Sequence, residues 1–80
     1  MFTGKSILIT GGTGSFGQTF IPMTLNKYNP TKIVVFSRDE IKQWEMAKLF
    51  KDDTRVRFMI GDVRDKDRLY RALDGIDYVV

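Results

Sequence analysis

The segment from Ser6 to Thr19, SILITGGTGSFGQT, constrains the fold of this chain more than any other part of the sequence. It contains the unbroken apolar run Ile7 to Ile9, which is typical of a parallel strand buried on both faces. A glycine-rich turn follows at once, and the pattern after the turn predicts a helix. A strand, a glycine-rich turn and a helix in this order form a known phosphate-binding context, because the backbone N–H groups at the helix start face the ligand.

The glycines of this turn fit the dinucleotide-binding spacing. Gly12, Gly14 and Gly17 give G-x-G-x-x-G. Gly11, Gly14 and Gly17 give the related spacing G-x-x-G-x-x-G. Small residues are needed because the turn is tight, the pyrophosphate approaches the backbone closely, and the helix start lies against the strand. A loop turn that merely needs positive φ angles would also use glycine. The flanking strand and helix favour the phosphate site.

A P-loop is the competing motif. Gly12, Gly17 and Thr19 satisfy G-x-x-x-x-G-x-T, but Gln18 stands where a P-loop has the lysine that contacts the β- and γ-phosphates. Because that charge is absent and Gly14 adds a third glycine, the sequence favours a dinucleotide over a nucleoside triphosphate.

Composition limits the chemistry that this chain can perform. None of its 80 residues is cysteine or histidine, which excludes disulfides, a thiol nucleophile and the commonest metal ligands. We therefore predict no metal site. Acidic residues are interleaved with the basic ones and the net charge is only +3, so no nucleic-acid partner is expected. The apolar runs are too short to span a membrane and the amino terminus lacks a signal-peptide core, which predicts a cytoplasmic protein without membrane contact.

Hydrophobic periodicity predicts that strands and helices alternate along the whole chain. Strands are expected at 7–9, 32–36, 56–60 and 76–80, with helices at about 14–27, at about 40–51 and after Asp65. This order is typical of an α/β fold with a parallel sheet. We predict one segment over residues 1–80, the first βαβαβαβ part of a Rossmann-type doubly wound sheet, without the parts that would complete it.

Two of the helices carry more specific expectations. The first is expected to kink or stop early at Pro22, and its predicted buried face comprises Phe16, Phe20, Thr24, Leu25 and Tyr28. The second is expected to bury a stripe formed by Ile41, Trp44, Ala47 and Phe50.

The residues after the second strand predict which dinucleotide is bound. NAD sites place here an acidic residue that accepts hydrogen bonds from the adenosine ribose, whereas this chain has Ser37 and then Arg38. A hydroxyl and a guanidinium suit the 2′-phosphate of NADP, and Lys42, one helical turn later, adds positive charge. In the alternative interpretation Ser37 only caps the following helix, for which Asp39 is an equally good N-cap, and Arg38 is a solvated charge.

The pair Asp62-Val63, directly after the third strand, is a second candidate contact. Its position predicts a carboxylate near the adenine, where it could accept a hydrogen bond from the amino group. An aspartate after a glycine such as Gly61 is also common in turns, and both interpretations stay open at this point.

Four segments, TGGTGSFG, FSRDE-x-K-Q, IGDVRDKDRL and DYVV, resemble the amino-terminal part of the inverting UDP-N-acetylglucosamine 4,6-dehydratases. These are extended short-chain dehydrogenase/reductases that supply pseudaminic acid biosynthesis. The resemblance implies bound NADP, a nucleotide-sugar substrate and a homo-oligomer. It implies oxidation at sugar C4, loss of water across C5 and C6, and return of the hydride to C6 with inversion at C5.

The resemblance also implies roles for individual residues. It assigns Thr13, Gly14, Ser15 and Phe16 to the pyrophosphate, residues 37–42 to the 2′-phosphate and Asp62-Val63 to the adenine. With the glycines, the predicted cofactor-binding set is Gly11, Thr13, Gly14, Ser15, Phe16, Gly17, Ser37, Arg38, Asp39, Lys42, Asp62 and Val63.

Catalytic residues are not expected within this chain. The family's catalytic tyrosine, lysines and acid lie after the position that Val80 occupies, and no tyrosine here has a Y-x-x-x-K context. This chain alone is therefore predicted to be inactive. Because the first strand begins a few residues after Met1, the chain resembles the soluble branch of these dehydratases. An NADP-binding regulatory module of the same fold, without catalysis, is the alternative function.

Overall fold

A computed structural model describes residues 2–11 and 14–80 of the chain. Within these residues, strands and helices alternate as predicted, in the order β1 (Ser6–Thr10), α1 (Ser15–Lys27), β2 (Lys32–Ser37), α2 (Glu40–Leu49), β3 (Val56–Ile60), α3 (Lys66–Leu73) and β4 (Tyr78–Val79). Gly12 and Thr13, for which the sequence predicts phosphate contacts, lie outside the described residues.

The four strands form one parallel sheet in the order β3-β2-β1-β4. Ile9 is in register with Val35 of β2, and Leu8 is in register with Val79 of β4. The chain thus winds outward from β1 through β2 to β3, and then returns past β1 to form β4. This order is that of a doubly wound Rossmann sheet, whose ligands bind beyond the carboxyl ends of the strands at this reversal. The predicted α/β fold is confirmed.

Both faces of the sheet are covered by helices, which explains the unbroken apolar runs of β1 and β2. On one face Ile7 and Ile9 pack with Ile21 of α1 and Met46 of α2. On the other face a second cluster contains Leu8, Val34, Phe36 and, from α3, Ala72. Successive residues of a strand point to opposite faces, so β1 and β2 each supply both clusters.

Helix α1 differs from the prediction in two respects. It continues through Pro22 to Lys27. Of the two expected effects of Pro22, a kink or an early stop, the early stop is therefore wrong. Pro22 lies on the exposed side of the helix, where water can satisfy the carbonyl that loses its N–H partner. The expected buried face is partly wrong as well. The helix buries Gly17, Ile21 and Thr24, while the Phe16 side chain is 59% exposed, because a repeat of four residues drifts off a face that follows 3.6 residues per turn.

Helix α2 is rotated relative to the prediction. Its buried residues are Gln43 and Met46, whereas Ile41 and Trp44 of the expected stripe are 72% and 63% exposed. The cause is the Gln43 side-chain amide, which donates to Ser37 Oγ at 3.1 Å and to the Met59 carbonyl at 3.0 Å. These bonds turn Gln43 toward the sheet and Ile41 toward solvent.

Caps fix the starts of α2 and α3. Asp39 is the N-cap of α2, since its Oδ1 accepts from the Lys42 backbone N–H at 2.9 Å. Asp65 caps α3 by accepting from the Arg68 backbone N–H. The expectation that Ser37 could cap α2 is wrong, because Ser37 is the last residue of β2 and is buried. Helix α2 ends at Leu49 and β4 covers only Tyr78–Val79, so both are shorter than predicted.

Candidate functional site

An open groove of about 430 Å³ lies beyond the carboxyl ends of β1, β2 and β3. Its size suits part of a small-molecule ligand. The groove is lined by residues that follow these strands or end them, namely Thr10, Gly11, Phe36, Ser37, Arg38, Gly61, Asp62, Val63 and Arg64. A shallower depression adjoins it, lined by Gly11, Ser37, Arg38 and Asp39.

Gly11, the first glycine of the glycine-rich turn, lines the groove. Gly11 has a φ of +63°, which favours glycine, and its N–H donates to the Phe36 carbonyl at 2.9 Å. Gly14 occupies the N-cap position of α1, and no side-chain hydrogen bond caps the helix there. Among the residues that the structure describes, a Cβ on Gly14 would meet only the Gly11 carbonyl oxygen, at 3.9 Å. The fold therefore tolerates a small side chain at Gly14, and the glycine leaves the helix start open.

The start of α1 is suited to an anion. The first turn of this 13-residue helix contains no acidic residue, and the first N–H groups of a helix lack partners within it. Together with the helix dipole, these N–H groups favour negative charge at this point. Gly14 and Ser15 also line a second groove, between α1 and α2, whose opposite wall includes Lys42 and Glu45.

Ser37 faces the groove from the end of β2 although it is 8% exposed. Its Oγ accepts a hydrogen bond from Gln43 Nε2. A hydroxyl that accepts one bond still has a proton to donate. Ser37 can therefore donate to an oxygen atom of a ligand in the groove, with Gln43 holding its position.

Arg38 projects from the loop between β2 and α2. Its side chain is 69% exposed, and its Nη1 lies 3.5 Å from Asp62 Oδ2. The neighbouring Asp39 carboxylate is engaged in capping α2. The loop thus presents a guanidinium to the groove, while its acidic side chain is turned into the helix cap.

Asp62 is paired across the turn that follows β3. Its Oδ1 accepts from the Arg64 backbone N–H at 2.9 Å, and its Oδ2 accepts from Arg64 Nη2 at 2.7 Å. Hydrogen bonds from Arg64 hold the pKa of the Asp62 carboxyl well below its usual range. The turn interpretation of Asp62 is thus correct in geometry, and Val63 beside it is half-exposed and lines the groove.

The structure brings most of the predicted cofactor-binding residues to these grooves. Gly11, Ser37, Arg38, Asp39, Asp62 and Val63 line the main groove or its adjoining depression, and Gly14, Ser15 and Lys42 line the groove between α1 and α2. Phe16 lines none of the three; its ring instead stacks on Phe20 at a centroid distance of 5.3 Å. Gly17 is buried within α1, and Thr13 lies outside the described residues.

Sequence reasoning missed Gly61, Gln43 and Arg64. A Cβ on Gly61 would lie 2.6 Å from two ring atoms of Phe36, which is fully buried. Gly61 is therefore required for packing beneath the groove. Its place directly after a strand was the available signal. A buried polar side chain such as Gln43 leaves no such signal in an apolar pattern.

The sequence also predicts that the chain has no metal site and no membrane contact. Over residues 2–11 and 14–80, no group of three or more acidic side chains could hold a metal ion. None of the helices in this part of the chain is long and apolar enough to cross a membrane.

Comparisons with known proteins agree with the fold. Residues 7–80 match the model of a family described as polysaccharide biosynthesis protein. The chain is 54% identical over all 80 residues to an inverting UDP-N-acetylglucosamine 4,6-dehydratase of Campylobacter jejuni, covering 100% of this chain and 24% of that protein. It is 44% identical over 82 positions to a UDP-glucose 4-epimerase of Rickettsia prowazekii, covering 99% of this chain and 24% of that protein.

A solved structure is similar along nearly the whole chain. The crystal structure of Pen from Bacillus thuringiensis has a TM-score of 0.88 and 39% identity, and the match covers 99% of this chain and 24% of that one. The chain therefore spans about a quarter of the length of these relatives. The resemblance inferred from the sequence is confirmed, and the chain belongs to the polysaccharide biosynthesis protein family.

Proposed function

We propose that this chain is the NADP-binding part of a nucleotide-sugar dehydratase that acts on UDP-N-acetylglucosamine. The observation that carries the proposal is the charge of the groove at the end of β2. There the Arg38 guanidinium faces the ligand space, while Asp39 caps α2 and Asp62 is neutralised by Arg64. A site for NAD would need a free carboxylate at this position.

The adenosine end of the cofactor fits the main groove. The 2′-phosphate would lie at Ser37 and Arg38, where a hydroxyl and a guanidinium can both donate to its oxygens. The half-exposed Val63 side chain would contact the face of the adenine. Because both Asp62 oxygens already accept from Arg64, we expect Asp62 to shape the wall of the groove rather than to form a dedicated bond to the amino group.

The pyrophosphate would lie at the start of α1. The open N-cap at Gly14 admits it, and the N–H groups of the first turn would bind its oxygens. Lys42, on the opposite wall of the groove between α1 and α2, adds positive charge between this site and that of the 2′-phosphate. A dinucleotide that carries the extra phosphate would thus meet the Arg38 guanidinium at its 2′-phosphate and the N–H groups of α1 at its pyrophosphate.

Bound NADP would accept a hydride from C4 of the sugar and return it to C6 after water is lost across C5 and C6, with inversion at C5. This chain would bind and orient the cofactor, and we assign no catalytic role to its residues. From the family resemblance alone we also propose a cytoplasmic homo-oligomer whose product enters pseudaminic acid biosynthesis.

Two other functions are possible for a chain with this groove. The identity to a UDP-glucose 4-epimerase favours an epimerase as the second candidate, since removal of a hydride at C4 would begin both reactions. An NADP-binding regulator without catalysis is the third.

The products formed by the protein distinguish these functions. Because this chain alone is predicted to be inactive, the assay uses the whole protein that contains it. That protein is purified and incubated with NADP and either UDP-N-acetylglucosamine or UDP-glucose, and the products are analysed by mass spectrometry. A dehydratase gives a product lighter by one water, and an epimerase gives an isomer of equal mass. A regulator binds the cofactor and gives no product. Calorimetry with NADP and NAD measures the cofactor preference directly, and failure to bind either would overturn the proposal.

A further inference from the structure

We propose that Arg64 is a positioning residue for the cofactor preference: by neutralising the Asp62 carboxylate it leaves Arg38 free to bind a 2′-phosphate. This inference rests on the proposed NADP-binding function. It assigns a role to a residue that binds no part of the cofactor itself.

The contacts between Arg64 and Asp62 are the densest in the groove. Arg64 Nε lies 3.2 Å from Oδ1 and 3.1 Å from Oδ2, and Nη2 lies 2.7 Å from Oδ2. The Arg64 backbone N–H adds a bond of 2.9 Å to Oδ1. A bidentate guanidinium with a backbone donor fixes the orientation of a carboxylate as well as its charge.

Arg38 approaches the same carboxylate much less closely. Its Nη1 is 3.5 Å from Asp62 Oδ2, which is beyond the usual length of an N–H···O bond. Oδ2 is therefore shared, with Arg64 as the near partner and Arg38 as the distant one. A dianionic phosphate can draw Arg38 away from such a loose contact.

Removing Arg64 would reverse this balance. Asp62 would keep its negative charge, and Arg38 would be the remaining cation that the structure brings into contact with it. Arg38 would then pair with Asp62, and the exposed carboxylate would also repel the 2′-phosphate. Both effects weaken NADP and have little influence on NAD, which has a hydroxyl in place of that phosphate.

The expected effect is modest because all three side chains contact solvent. Their exposed fractions are 69% for Arg38, 28% for Asp62 and 77% for Arg64. Couplings between exposed charges correspond to about a two- to fivefold change in an equilibrium constant. Direct contact between Arg64 and the phosphate is the competing explanation, and it requires no involvement of Asp62.

A double-mutant cycle separates these explanations. The dissociation constants of NADP and NAD are measured by calorimetry for the wild-type protein and for Arg64→Ala, Asp62→Asn and the double variant. Arg64→Ala is expected to weaken NADP about two- to fivefold with NAD nearly unchanged. In the Asp62→Asn background the same removal should leave the NADP/NAD ratio unaltered, since no carboxylate remains to capture Arg38.

Two further variants serve as controls. Arg64→Lys keeps the charge without the bidentate geometry and should restore part of the preference. Arg57→Ala removes a positive charge from an exposed position of β3 that lines none of the grooves, and it should leave the ratio unchanged. Thermal unfolding of each variant verifies that it is folded.

Several outcomes would overturn the inference. Equal loss of NADP affinity in both Asp62 backgrounds would indicate direct contact with the phosphate, and equal loss for NADP and NAD would indicate general support of the groove. An unchanged ratio in Arg64→Ala would exclude any role in the preference. If the wild-type protein shows no preference for NADP, or if Arg38→Ala leaves the preference intact, the proposed function fails together with this inference.

Discussion

Replacing Gly61 with alanine tests the packing beneath the groove. The new Cβ would lie 2.6 Å from the Cε2 and Cζ atoms of Phe36 and 2.8 Å from Cγ of Arg68. Phe36 is fully buried, and Arg68 is held by a 2.8 Å bond from its Nε to the Ile60 carbonyl. Neither neighbour can therefore move without losing favourable contacts.

The magnitude follows from two opposing effects. Overfilling a well-packed core costs about 1–3 kcal/mol, whereas replacing glycine with alanine stabilises by about 0.4–1 kcal/mol through the unfolded chain where the backbone permits it. The backbone does permit it, since Gly61 is not among the glycines with positive φ. The steric effect is the larger, and the middle of each range gives a net loss of about 1.3 kcal/mol in the free energy of unfolding, or about 5–10 °C in Tm for a domain of this size.

Urea and thermal unfolding followed by circular dichroism measure this loss. Gly14→Ala is the matched control, because within the described part of the chain its Cβ would meet only one atom, at 3.9 Å, and its stability should stay close to that of the wild type. Phe36→Leu removes the ring atoms that collide with the new methyl group. The free energy of unfolding lost in the double variant Gly61→Ala/Phe36→Leu should therefore be smaller than the sum of the losses in the two single variants. A Gly61→Ala protein within 0.5 kcal/mol of wild type would refute this reasoning about the packing.

Four other predictions concern the cofactor, the helix cap and pH. Arg38→Ala should lose about 1.5–3 kcal/mol of NADP binding and little NAD binding, and equal losses in calorimetry would contradict the role of Arg38. Gly14→Val should prevent binding of both cofactors by filling the pyrophosphate site while the circular dichroism spectrum stays near wild type; normal NADP affinity would mean that the loop is only a turn. Asp39→Ala should lower the free energy of unfolding by about 1 kcal/mol through loss of the α2 cap, measured by urea unfolding, whereas Asp39→Ser should restore most of it. Hydrogen bonds from Arg64 lower the pKa of Asp62 in the folded protein, so the stabilising effect of ionised Asp62 is present above its unfolded pKa of about 3.9 and is lost as pH falls. The difference in urea midpoint between wild type and Asp62→Asn should therefore shrink below about pH 4. A difference that grows instead would refute the pairing of Asp62 with Arg64.

The sheet and the location of the groove were predictable because they depend on patterns within short segments. The apolar runs containing Ile9 and Val35 can only be satisfied by burial on two faces. Parallel strands then bring their carboxyl ends, and hence Ser37 and Asp62, to the same edge. These conclusions need no knowledge of which side chains touch.

The rotation of α2 and the pairing of Asp62 were not predictable in the same way. Apolar periodicity predicted that Trp44 would be buried, but hydrogen bonds of the Gln43 amide to Ser37 and Met59 decide which face meets the sheet. Asp62 could have faced adenine or a backbone turn, and only the conformation of the turn brings Arg64 onto its carboxylate. In both cases a polar contact between specific atoms decides the result.

The rotation of α2 also provides the protein with an optical reporter. Trp44 is the only tryptophan in the chain, and it lies on the exposed side of the helix with the Lys48 ammonium 3.5 Å from its ring centroid. The preceding residue, Gln43, binds the same helix to Ser37 in the groove through its side-chain amide. When tryptophan is excited selectively, the emission of this chain arises from one helix anchored at the proposed 2′-phosphate site. Binding of NADP to unlabelled protein can therefore be followed by tryptophan fluorescence.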